Sequence, residues 1–84
     1  MQGFVCRWSN TDQAGNVREC PSGTVFPFVG AEPTNASAIV ALAQKYPNGL
    51  NTSGGPLPQC PPFPGAVRVQ FEQSGGFLTN MQIL

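Results

Sequence analysis

An α+β fold is predicted for this 84-residue chain: a small, mostly antiparallel β-sheet with one short helix and a proline-rich extended strap. Three observations predict it. Val67, Val69 and Phe71 alternate with Arg68, Gln70 and Glu72. After Gln73-Ser74-Gly75-Gly76, a second alternating run puts Phe77, Thr79, Met81 and Ile83 on one face. Two period-two runs around a short glycine-containing connection are the sequence form of a β-hairpin. Ile39, Leu42, Ala43 and Tyr46 fall at helical spacing within an alanine-rich stretch. Pro56, Pro58, Pro61, Pro62 and Pro64 crowd around Cys60 and Phe63, where neither a helix nor a central strand can form.

In chain order, Gly3–Trp8 reads as a first strand, rich in residues that suit a pleated surface. Ser9–Asn16 is polar, with turn chemistry at Asn10, Asp12 and Gly15. Val17–Cys20 returns as a short strand, stopped by Pro21-Ser22-Gly23. Thr24–Val29 is a third candidate, and Pro27, which cannot donate to a ladder, places it at a sheet edge or makes it no regular strand at all. Thr34 or Asn35 caps the helix, and Pro47-Asn48-Gly49 ends it. About three turns long, the helix is marginal alone, so its apolar stripe must be buried against the sheet. Leu50–Gly65 follows as the strap, with Leu57, Cys60 and Phe63 available to pin it. No repeat at solenoid periods occurs, and residues 1–84 form one domain.

Composition narrows the function more than any motif does. Four basic residues (Arg7, Arg18, Lys45, Arg68) balance four acidic ones (Asp12, Glu19, Glu32, Glu72), and the charged fraction is 10%, against about 25% in an ordinary soluble domain. A free monomer stays soluble through surface charge, so a neutral, charge-poor chain fits an assembly; the contrasting reading is a monomer kept soluble by Ser, Thr, Asn and Gln. No basic cluster supplies counterion-release affinity, so nucleic acid is not an expected partner. The longest apolar run, Ala38–Ala43, is too short for a membrane span. Met1-Gln2-Gly3-Phe4 has no basic start and no apolar core of a signal peptide.

Chemistry is thinly represented. Histidine is absent, which removes the commonest general base, metal ligand and nucleophile partner. Lys45 on the expected solvent face and four scattered acids offer no catalytic constellation, so no enzyme is expected and no catalytic residue is assigned. Cys6, Cys20 and Cys60 lack a C-x-x-C knuckle, so neither metal nor cofactor is expected. Two redox states are open: one disulfide with one thiol, or three reduced, buried thiols in a reducing cytosol. If a bond forms, the strand placement pairs Cys6 with Cys20. Gly54-Gly55 and Gly75-Gly76 match no phosphate-binding loop. Asn35-Ala36-Ser37 and Asn51-Thr52-Ser53 match the glycosylation sequon, and two P-x-x-P matches lie within Pro58–Pro64.

The expected function is therefore a non-enzymatic structural component of an assembly, acting by buried apolar area against protein partners or copies of itself. A small phage virion protein, such as a capsid decoration or cement subunit, is the kind of chain that is small, ordered, glycine- and proline-rich and charge-poor. It would be made in the cytoplasm and work in the virion or another extracellular assembly. The expected contact residues are Leu57, Phe63, Phe77, Leu78, Ile83 and Leu84, aided by β-augmentation at the last strand. The alternative is a small binding or inhibitor protein that presents the 51–63 loop.

Overall fold

The sheet is built outward from β1 (Gln2–Ser9), which pairs on both sides. The computed structural model describes residues 1–20, 22–51, 61 and 63–84. Among them, β2 (Ala14–Glu19), β3 (Val25–Val29), β4 (Leu50–Asn51), β5 (Arg68–Ser74) and β6 (Phe77–Ile83) join β1 in one antiparallel sheet. The order is β3-β2-β1-β5-β6, with β4 pairing the end of β1 that β5 leaves uncovered. The 3-10 turn Pro33–Asn35 leads directly into the helix α1 (Ala36–Lys45). The predicted small antiparallel sheet with one short helix is present. The strap lies largely outside the described residues.

The sheet curls until its outermost strands, β3 and β6, come into contact. Inward side chains from the strands (Val5, Trp8, Val17, Phe28, Val69, Phe71, Leu78, Met81) then share one core with Ala38, Ile39 and Leu42 of α1. The ring of Phe26 on β3 reaches Phe71 on β5, 6.2 Å between centroids, across two intervening strands' width of the curl. Burying this apolar set is what orders a three-turn helix that would be marginal alone.

Two bulges set the phase of the sheet. Val5 faces Val17 and Arg7 faces Asn16, so Cys6 is the extra residue in β1. That insertion lets Val5 and Trp8, three apart, point to the same core, where strict alternation would split them. On β6 the register advances two residues on β5 (Gln70 to Glu72) against three on β6 (Gln82 to Thr79), and Asn80 takes a positive φ of 53°. Leu78 and Met81 consequently share the buried face. The expected face of Phe77, Thr79, Met81 and Ile83 is broken: one extra residue inverts the alternation between Phe77 and Met81, so Phe77 is exposed and Met81 buried, while Ile83, in phase with Met81, is 40% exposed at the strand end.

The remaining expectations divide by element. Pro27 does sit on an edge strand, and Val67, Val69 and Phe71 do face the core. The turn of the last hairpin is shorter than Gln73–Gly76: Ser74 pairs with Phe77 around Gly75 and Gly76, both at positive φ, as a two-residue I′ turn requires. β2 begins at Ala14 rather than Val17, leaving a loop of Asn10–Gln13. Asn35 occupies the N-cap position of α1, yet its side chain makes no capping bond.

Candidate docking surface

Edge strands are the places where a sheet can add a foreign strand, and both edges here are blunted. Pro27 removes a donor from the middle of β3. On β6, the backbone groups at the bulge are taken by the turn before α1: Asn35 Nδ2 donates to Leu78 O at 3.0 Å, Met81 N donates to Asn35 Oδ1 at 3.1 Å, and Asn80 N donates to Thr34 Oγ1 at 2.9 Å. Glu32 holds that turn by accepting from both the backbone N and the hydroxyl of Thr34. Over Leu78–Met81 the edge therefore makes side-chain bonds where a β-augmenting strand would have to bind.

What the surface offers instead is apolar side chains in two places. At one end of β6 and α1, a groove of about 280 Å³ is lined by Ala41, Leu42 and Lys45 of α1, by Val67 and Arg68, and by Ile83 and Leu84. Ile83 and Leu84 are 40% and 57% exposed, large fractions for such side chains. The groove's charged lining residues, Lys45 and Arg68, are both basic, and Arg68 also donates to Gln2 Oε1. At the other end, Phe77 is 48% exposed and shares a second patch with Val29, Ala31 and Glu32. A third, polar cleft lies between the β1–β2 loop and the α1–β4 connection, where Asn10 Nδ2 bridges to Pro47 O at 3.2 Å.

Of the expected contact residues, Phe77, Ile83 and Leu84 are exposed and Phe63 is half-buried. Leu78 is corrected: it is fully buried in the chain's own core, on the inward side of the β6 bulge, and has no surface to give a partner. Leu57 and most of the 51–63 loop lie outside the described residues, as do the P-x-x-P matches in the main. The two ends of β6 separate Phe77 from Ile83 and Leu84, so they belong to different patches.

The cysteines resolve differently from the Cys6–Cys20 pairing. Cys20 is disulfide-bonded and Cys6 is a thiol, so the expected pair is not formed. The physical reason is the register: Cys20 N donates to Gln2 O, about 13 Å along β1 from Cys6, while Cys6 lies buried at the bulge with its Sγ–H pointing to Asn16 O at 3.5 Å. Burial raises the Cys6 pKa above the ordinary thiol value of 9.0, opposed more weakly by the charges of Arg18 and Arg7. A raised thiol pKa means that the unfolded chain ionises first. The associated stability is intact below pH 9 and declines as pH climbs above it. Alkylation of native protein without reductant is expected to be slow at Cys6 and to mark a single site after denaturation; mass spectrometry showing more than one labelled thiol before reduction would contradict the disulfide at Cys20.

Asn35 is the residue that sequence reasoning placed at the right position with the wrong task. At 0% exposure it cannot accept a glycan in the folded chain, and its amide serves β6 rather than the helix. Burial likewise raises the Tyr46 pKa at the end of α1, where Lys45 Nζ lies 5.9 Å from the Tyr46 ring centroid.

Fold and surface together define the chain as a small curled β-sheet protein with one docked helix, closed edges and apolar ends. No protein-family model matches it, and neither a curated protein nor a solved structure does. Among the described residues no helix is long and apolar enough to cross a membrane.

Proposed function

We propose that this chain is a non-enzymatic structural component of a macromolecular assembly, a small virion subunit of the capsid-decoration kind, acting by packing against protein partners including copies of itself. The observation that carries the reading is the apolar groove between α1 and the ends of β5 and β6, with Ile83 and Leu84 exposed beside it on a molecule that is only 10% charged. Such a surface gains by being covered, and contiguous apolar area on a small soluble chain marks an interaction site. The disulfide at Cys20 agrees with a working place outside a reducing cytosol, as a virion or other extracellular assembly is. The mode of contact is packing of side chains rather than strand addition, since Pro27 and the Thr34–Asn35 turn occupy the sheet edges.

Light scattering over a wide concentration range tests the reading. The wild-type mass is expected to rise above 8.9 kDa with concentration. Ile83→Asp, at an exposed position, is expected to keep the melting temperature within a few degrees and to remain monomeric, because a carboxylate would have to be desolvated in the contact. A wild-type chain that stays monodisperse at its monomer mass would remove self-packing from the proposal.

A further inference from the structure

We infer that copies of this chain join head to tail, the Phe77–Glu32 end of one entering the Lys45–Arg68 groove of the next. This rests on the packing reading proposed above and names the partner and the geometry.

The two patches are complementary in both properties that matter. One presents an exposed aromatic ring with Val29 and Ala31 beside a carboxylate, Glu32. The other presents an apolar groove whose charged lining residues are both basic, Lys45 and Arg68. An aromatic side chain entering an apolar pocket, ringed by opposite charges at the rim, is how hot spots are built at protein interfaces. Glu32 uses Oε1 to hold Thr34, leaving Oε2 for a cation. Arg68 gives one N–H to Gln2 and carries four more.

Their placement fixes the kind of assembly. Phe77 begins β6 and Ile83 ends it, so the patches are about 20 Å apart along one strand. α1 runs between them too, from the Glu32 turn to Lys45. Different patches at opposite ends make a heterologous contact, which gives a ring if the rotation closes and a filament or lattice row if it does not. A two-fold dimer that buried the groove against itself would set Lys45 and Arg68 against their own copies.

Complementation separates these cases. Phe77→Ser removes the knob and leaves the groove; Lys45→Glu spoils the groove and leaves the knob. Each variant alone is expected to self-associate roughly tenfold more weakly than wild type, while melting like it, since both side chains are exposed. Mixed, they are expected to form a 1:1 heterodimer of near wild-type affinity that grows no further, because only one productive contact remains. Independently, carbodiimide treatment of mixed isotope-labelled wild-type chains is expected to yield an interchain Glu32–Lys45 amide. Lys45 is the sole lysine, so tandem mass spectrometry has only to separate that product from coupling at the α-amino group of Met1. Wild-type oligomers with no such cross-link, or a Phe77→Ser chain that associates normally, would overturn the head-to-tail geometry and leave the packing reading standing. A monomeric wild type would overturn the head-to-tail geometry and remove self-packing from that reading.

Discussion

Asn35→Ala is expected to cost about 3 kcal/mol, the bulk of what a domain of this size has to lose. The side chain is fully buried, and its amide satisfies two backbone groups at once, the carbonyl of Leu78 and the N–H of Met81. Those groups lie at the β6 bulge, where the extra residue has taken them out of register with β5. Removing the amide leaves a donor and an acceptor inside the core with no water to replace it, at about 1–3 kcal/mol each. On a small domain that corresponds to a melting temperature lower by roughly 15–20 °C. Asn35→Asp is the sharper variant. Its carboxylate can still accept from Met81 N, but it turns an oxygen towards Leu78 O and buries a charge, so at neutral pH it is expected to be at least as damaging. Thr34→Val removes a neighbouring bond to Asn80 N at an exposed position, where water substitutes, and is expected to cost under about 1 kcal/mol. Urea unfolding of the three variants reads this directly. A loss below about 1 kcal/mol for Asn35→Ala would mean that the bulge is satisfied in another way.

The parts of this fold that were legible in the sequence are those written in periodicity and in strong local signals. Val67, Val69 and Phe71 alternate without interruption, and β5 has no bulge, so their burial follows from period two. The helix is bounded by a turn and a proline, and Ile39 and Leu42 are buried as their spacing requires. Pro27 marks an edge because its missing donor is a covalent fact. Bulges are different. Cys6 and Asn80 each shift the phase of a strand by one, and a residue's tolerance for being extra depends on what the opposite strand and the core demand. An asparagine in a strand run, able to take positive φ, was the local hint for Asn80. Missing it set Leu78 among the expected contacts and put Phe77 and Met81 on one face. The Cys6–Cys20 pairing failed on register instead, since Cys20 lies beside Gln2, four residues along β1 from Cys6. The two-residue β4 carries no periodicity at all. The docking surface was legible as residues, in Phe77, Ile83 and Leu84, but not as two separate patches, because Glu32, Lys45 and Arg68 reach them from three other segments.

Gly15→Ala is expected to be the other severe substitution, either preventing folding or costing about 3 kcal/mol or more. Gly15 is the second residue of β2, where a glycine is entropically unfavourable and contributes no packing of its own. Its register explains it. Gly15 pairs with Trp8 of β1 on one side and with Phe28 of β3 on the other. With no side chain between them, the two rings close over the glycine and stack, 5.9 Å between centroids and 7° between planes, within the range of favourable aromatic pairs. A Cβ at this position would lie 2.2 Å from Arg7 O and 2.7 Å from Phe28 Cζ. The ring could rotate away, with loss of the stack. The carbonyl cannot, because β1 is held by β2 on one side and by β4 and β5 on the other. Gly76→Ala provides the contrast: it is strained by its φ of 86°, but nothing lies within 4 Å, so it is expected to cost only about 1 kcal/mol. Trp8 is the sole tryptophan, so near-UV circular dichroism reports the stack without interference from another indole. A Gly15→Ala protein with wild-type stability and an unchanged tryptophan band would show that the strands do not approach this closely. A folded but weakened protein that has lost the band would show that β1 holds its place and the Phe28 ring yields, which locates the strain in the aromatic pair rather than in the sheet.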